Sequence, residues 1–258
     1  MMKLLKRACR ILLILAFWIG VWAFAAWRIG KPLLFPSPLA VVKRLGELIQ
    51  TKEFYLITAS SLWNIVSGIL IAVLCGSLLA VLTSRLRLLR ELILPIMTVI
   101  KATPVASFII LAMIWIGAAR VPTFITILIV LPVIWTNLDE GFLAIDPKLN
   151  EVTRVYKMSF GKRLKFLILP SLKPYFVSAC RTSLGLAWKA GVAAEIIAMP
   201  RNAIGTMIGE ARMYLETATM FAWTLTVILL SLLIELAFAA LFNRLVKGDP
   251  KEQEVEKC

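Results

Sequence analysis

Six stretches of the chain are apolar for long enough to cross a bilayer as helices, at about residues 10–27, 60–82, 92–116, 121–137, 174–198 and 220–242. A helical span takes about 20 residues. In lipid, every backbone N–H and C=O must be satisfied within the structure itself, which restricts what such segments can become. The expected fold is therefore all-α: a polytopic membrane protein of six transmembrane helices, with 1–258 forming a single transmembrane domain. Composition agrees, since 60% of the residues are apolar and 17% charged, against about half apolar in a soluble domain. This excludes a soluble enzyme, a disordered regulator and a secreted disulfide scaffold.

The net charge of +14 would suggest nucleic acid or an acidic partner in a soluble protein, but here it follows from topology. With the amino terminus inside, eighteen Lys and Arg residues fall in the cytoplasmic segments and eight on the opposite side. The positive-inside rule then places both termini in the cytoplasm. Lys3, Lys6, Arg7 and Arg10 ahead of the first apolar run, with Ala23-Phe24-Ala25 near its end, also resemble a secretion signal. The run is longer than the apolar core of such a signal, and Trp22 and Trp27 suit an interfacial anchor, so it is read as a retained span. Histidine is absent, which removes His-based zinc sites and His general bases. Cys9, Cys75, Cys180 and Cys258 show no CxxC spacing and read as incidental thiols.

Two segments outside the spans carry further signals. After Pro36-Ser37-Pro38, the residues Leu39, Val42, Leu45, Leu48 and Ile49 recur at helical spacing among Lys43, Arg44 and Glu47. A short amphipathic helix on the outer membrane surface is expected there. The short charged tail after Asp249 is expected to fray. The second segment, 138–173, is the long cytoplasmic loop. Asp146-Pro147 makes a helix start, and Glu151 is expected in the first turn, where the helix dipole favours a carboxylate. Val152, Val155 and Tyr156 follow on neighbouring turns, Ser159 to Gly161 can break the chain, and Leu164, Leu167 and Ile168 form a second apolar stripe. Two short helices meeting at a bend would make a rigid knob for a partner's groove; the same pattern also fits an interfacial hairpin.

The segment Glu151-Val-Thr-Arg-Val-Tyr-Lys-Met-Ser, with Leu167-Ile-Leu-Pro170 nineteen positions on, resembles the EAA signature of permease subunits of ATP-binding-cassette importers. Val152 and Thr153 replace the alanines, and Lys157 occupies the usual glycine position, so the bend must come from Ser159, Gly161 or a non-glycine residue. The resemblance extends over roughly 35–244. Phe35-Pro-Ser-Pro-Leu, Lys101-Ala-Thr-Pro104, Leu184-Gly-Leu-Ala-Trp188 and Ala194-Glu195 look like the branch that imports nitrate, sulfonates, taurine or thiamine-precursor-like compounds. It implies a type I importer (MetI-like) permease fold in the bacterial cytoplasmic membrane, with a second permease subunit as a homodimer or heterodimer. Two ATPase subunits and an external substrate-binding protein complete the implied assembly. It also implies that Glu151, Val152, Arg154, Val155, Tyr156, Lys157, Ser159 and Pro170 belong to the element that enters a groove on the ATPase. The chain lacks a GxxxxGK[ST] phosphate loop, since Gly161-Lys162-Arg163 has no upstream glycine. ATP and magnesium are thus expected on the partner ATPases, with no cofactor, metal or catalytic residue in this chain and no nucleic acid partner.

Ionisable residues inside spans are costly and tend to be paired, cavity-facing or functional. On a helical wheel of the fifth run, Arg181, Gly185, Trp188, Val192 and Glu195 fall within about 40° of one line, a face expected to meet protein or water. Arg181 and Glu235 lie at matching depths in the fifth and sixth spans and are expected to pair. Lys101 and Lys189 lie nearer the mid-plane without an acidic partner, and either snorkel, join a hydrogen-bond network, or give an anionic substrate a positive pathway. Together with Pro104, Trp188 and Glu195 they are the candidate pathway residues. Pro95, Pro104, Pro122 and Pro132 interrupt the third and fourth spans, either as simple kinks or as breaks lining a cavity. A stand-alone channel or secondary transporter would use these charges without needing a cytoplasmic knob. A membrane-embedded enzyme would need clustered acids or metal ligands, and the acidic pairs Asp139-Glu140 and Asp146/Glu151 lack that context.

Overall fold

The computed structural model describes residues 2–246, with side chains at residues 9–10 and 12–240; the tail after Asp249 and Cys258 lie outside the described residues. The regular elements among them are helices: α1 (Met2–Ile29), α2 (Pro38–Ile49), α3 (Lys52–Arg85), α4 (Arg87–Ala102), α5 (Val105–Ile116), α6 (Val121–Leu143), α7 (Pro147–Val155), α8 (Phe160–Arg163), α9 (Leu169–Ala198), α10 (Ile204–Met213) and α11 (Thr217–Val246).

The core forms around α6, which packs between α3 and α9. The buried residues of α3 are Phe54, Ile57, Ser61, Ile65, Gly68, Ala72, Gly76, Ala80 and Thr83, a single stripe at spacings of three and four. Most are small, because helices in lipid gain little from burying leucine and associate through close backbone approach. A Cβ at Gly68 would fall 2.8 Å from the Thr123 carbonyl oxygen, and one at Gly76 would fall 3.1 Å from Ile134. At one end of this contact the Trp135 indole N–H donates to Thr83 Oγ1 at 3.1 Å, so a large buried side chain still has its polar atom satisfied.

Among the described residues, four helical stretches are long and apolar enough to cross a membrane: Leu12–Ile29, Lys52–Arg85, Ala118–Leu143 and Thr217–Ala240. A fifth crossing exists if α4 and α5 are counted together, but they are bent by 104°. Of the two readings of the third span, a simple kink or a break, the sharp bend fits a break. Proline lacks an N–H and disfavours a helical residue before it; Thr103, ahead of Pro104, is extended at φ −80° and ψ 133°. Pro95 and Pro132 sit inside α4 and α6, and Pro122 lies in the first turn of α6, so Pro104 alone of the four divides a run. The fifth run corresponds to α9, whose Arg181, Lys189 and Glu195 dilute its apolar character.

The amphipathic helix expected after Pro36 is α2, capped by Ser37, whose hydroxyl oxygen accepts from Ala40 N–H at 3.3 Å. Its inward stripe is Val41, Leu45 and Leu48, while Leu39 and Val42 stay exposed. Leu45 and Leu48 join Phe54, Ile57, Ile204 and Trp223 in a cluster shared by α2, α3, α10 and α11. The Arg44 guanidinium bonds Thr219 Oγ1 at 2.9 Å and pairs with Glu47 at 3.0 Å. One element had no counterpart in the sequence reading. α10 lies between the fifth and sixth runs, and Ile204, Gly205, Thr206, Gly209 and Ala211 are buried in it.

Candidate coupling surface and translocation face

The segment after α6 is stiff for local reasons. Asp146 caps α7, its Oδ1 accepting from Lys148 N–H at 2.8 Å, with Pro147 in the first turn. Glu151 is the fifth residue of α7, not part of its first turn, so the dipole argument for it is corrected. It is exposed and makes no hydrogen bond or ion pair among the described residues. The bend falls on Lys157 itself, at φ 43°. Met158 N–H bonds Thr153 O and Lys157 N–H bonds Arg154 O, both at 3.0 Å, a Schellman ending that calls for a left-handed residue at this position. Gly161 lies inside α8, and Ser159 precedes it in an extended conformation. A five-residue π-helical turn, Leu164–Ile168, joins α8 to α9 and places Pro170 in the first turn of α9. The wider turn suits a proline, whose ring would collide with the carbonyl four residues back in a regular helix.

Two contacts brace the knob. Arg163 Nη2 donates to Asn150 Oδ1 at 2.9 Å, and the Arg85 guanidinium lies 5.1 Å from the centroid of the Phe160 ring. Thr153 is buried beneath α7, while Val155 and Tyr156 are each 77% exposed and Val152, Arg154 and Lys157 are also open. The result is a rigid, protruding edge of apolar and basic side chains.

The charges at membrane depth fall into an exposed set and a buried one. Lys101 is exposed, and its ammonium donates to Thr136 Oγ1 at 2.6 Å. Lys189 and Arg181 lie on the exposed stripe of α9, and Pro104 is exposed at the α4–α5 break. Trp188 and Glu195 are buried. Trp188 Nε1–H donates to Val227 O at 3.0 Å and ties α9 to α11, and Glu195 bonds Ser61 and the start of α10. Arg181 and Glu235 form no ion pair: Glu235 Oε1 points toward Gly185, one turn beyond Arg181, and both side chains are exposed. The well-shielded ion pair is Arg90–Asp139, with Nε contacts of 3.0 and 2.9 Å to the two carboxylate oxygens and an Nη2 contact of 2.9 Å. It fastens α4 to α6. Asp139 stands just past the end of an apolar run, and a carboxylate at that depth was the available signal for a partner.

Residues 68–247 match the family model described as binding-protein-dependent transport system inner membrane component. The chain belongs to this family of importer permeases. The permease is 27% identical over 231 residues to the taurine transport system permease protein TauC of Escherichia coli (strain K12), covering 87% of this chain and 83% of that one. It is 26% identical over 214 residues to the putative aliphatic sulfonates transport permease protein SsuC of Bacillus subtilis (strain 168), covering 82% and 77%. It is 29% identical over 156 residues to the bicarbonate transport system permease protein CmpB of Synechococcus elongatus (strain ATCC 33912 / PCC 7942 / FACHB-805), covering 60% and 56%.

As a permease subunit of an ATP-binding-cassette importer, the chain is a transport component of a membrane complex that includes ATPase and substrate-binding partners. From α7 the chain runs through α8 and the π-helical turn into α9, which is packed along α6.

Proposed function

We propose that this permease forms a homodimer that binds two ATPase subunits through α7 and receives its substrate from an external binding protein. Six crossings, made by α1, α3, the bent α4–α5 pair, α6, α9 and α11, leave both termini in the cytoplasm. Glu151, Val152, Arg154, Val155, Tyr156 and Lys157 enter a groove on the ATPase, with Ser159 and Pro170 shaping the return into α9. ATP and magnesium bind the ATPase, and this chain supplies no cofactor site.

The substrate is a small anion or a zwitterion with an exposed acidic group, of the sulfonate, taurine, nitrate or thiamine-precursor kind. The observation that carries this is the exposure of Lys101 and Lys189, two cations at membrane depth with no acid paired to either among the described residues. Unit charges 4 Å apart interact by about 4 kcal/mol at an effective dielectric of 20, enough to guide an anion without trapping it when the lysines are hydrated. The names of relatives that carry taurine, sulfonates and bicarbonate point to the same charge type. The test is uptake of radiolabelled taurine, an alkanesulfonate and nitrate by the reconstituted complex. Lys101→Met and Lys189→Met should each lower anion uptake several-fold while part of the ATPase stimulation by the loaded binding protein remains. Unchanged uptake in both variants, or a cationic cargo, would overturn the assignment.

A further inference from the structure

The joint between α9 and α10 gathers features that the transport scheme above leaves unused. Glu195 is completely buried, yet no cation pairs with it among the described residues: Oε2 accepts from Ser61 Oγ at 2.9 Å and from Gly205 N–H at 3.0 Å, and Oε1 has no hydrogen-bond partner there. Ser61 Oγ in turn accepts from Ile204 N–H at 2.8 Å. Ile204 and Gly205 open α10, and the first amides of a helix have no partner within it. Here they are held by one side chain from α3 and one from α9. The approach is close enough that a Cβ at Gly205 would overlap Glu195 Cβ and lie 2.6 Å from Ile196 N.

The backbone on both sides of α10 is strained. Met199 (φ 48°) and Asn202 (φ 54°) precede it and Leu215 (φ 57°) follows it, all non-glycine residues in the left-handed region. Such residues persist where their surroundings over-determine them, and they cluster at switch regions. Open space adjoins both sides of the element: a cavity lined by Ser60, Asn64, Ala118 and Met199, and a polar cleft lined by Glu53, Met207, Glu210 and Tyr214. The unused Oε1 lowers the advantage of the closed arrangement, because an acceptor without a donor is satisfied once water reaches it.

We propose that Glu195 and Ser61 form a releasable latch: they hold α10 against α3 and α9 in the resting permease, and α10 leaves them on its left-handed joints during each transport cycle. Glu195 is then a positioning residue, acting through α10 on the end of the pathway next to it. This rests on the permease reading.

Ala211, buried in α10 beside the polar cleft, reports the motion as Ala211→Cys in a chain whose native cysteines are replaced by serine. The complex with its ATPase is placed in lipid nanodiscs, and maleimide labelling is timed with and without MgATP. Labelling should be slow at rest and about tenfold faster during hydrolysis, equivalent to about 1.4 kcal/mol. Glu195→Ala and Ser61→Ala should label quickly without ATP. Glu195→Gln should stay slow, because its amide oxygen still accepts from both donors. If Glu195→Ala does not fold, the unsubstituted chain with and without MgATP and the glutamine variant decide. Hydrolysis without any change in labelling, or Glu195→Gln labelling during rest as fast as during hydrolysis, would overturn the latch and leave the permease reading intact. A folded chain that assembles with no ATPase would overturn both.

Discussion

Arg90 and Asp139 show what a charge pair near the membrane requires. Asp139 is 7% exposed and accepts through both oxygens, while Arg90 keeps 36% of its side chain in contact with solvent. Leaving one charge of a fully buried pair alone costs about 3–5 kcal/mol, and removing both can be nearly neutral. Partial exposure of the arginine reduces its own cost, so Arg90→Met should destabilise by about 2–3 kcal/mol, Asp139→Leu by less than that, and the double variant by under about 1 kcal/mol. Thermal unfolding of the four purified proteins in one detergent reads this cycle. A double variant as unstable as the sum of the singles would show that the pair contributes nothing. The sequence reading favoured Arg181 and Glu235 because their positions along the helix axes match. Axial depth follows from counting residues, but the direction around a helix depends on which neighbour packs there. Glu235 faces Gly185, whose missing side chain leaves room for it, and Arg181 turns to the exposed stripe.

At the scale of elements, signals written in local chemistry were legible. Ser37-Pro38 and Asp146-Pro147 start α2 and α7 as their capping chemistry requires, and the need for a bend near Lys157 could be read from the signature. What could not be read is that lysine itself adopts the left-handed conformation, since Ser159 and Gly161 offered easier backbones. The ending of α7 requires it, because Met158 and Lys157 N–H groups must reach Thr153 and Arg154. A non-glycine residue in this conformation costs about 1–2 kcal/mol. Lys157→Gly should therefore stabilise the turn by about 1 kcal/mol and slow amide exchange at Met158 about fivefold, measured by hydrogen exchange on the purified protein. Faster exchange would mean that the lysine side chain contributes more than its backbone costs. α10 escaped notice because it is too short for a span and its burial rests on Gly205 and Gly209, residues that read as loop punctuation.

For the whole molecule, the all-helical class and the permease family followed from apolar run length and one cytoplasmic signature, while the α4–α5 bend came from a single Thr103-Pro104 step. We propose that α7 transmits work from an ATPase to the membrane helices. On that proposal its exposed edge meets the partner, and burying aromatic and aliphatic side chains at such an edge supplies most of an interface's energy. The direct measurement is affinity purification of the tagged permease from membranes expressing the full transporter, followed by quantification of the bound ATPase and its hydrolysis rate. The unsubstituted permease should bring down an ATPase at one copy per permease chain. Tyr156→Asp should lose most of it, and Glu151→Ala should weaken it or leave hydrolysis uncoupled from uptake, with both variants still folded and in the membrane. Undiminished ATPase recovery and coupled uptake in both variants would contradict the assignment of α7 as the coupling element.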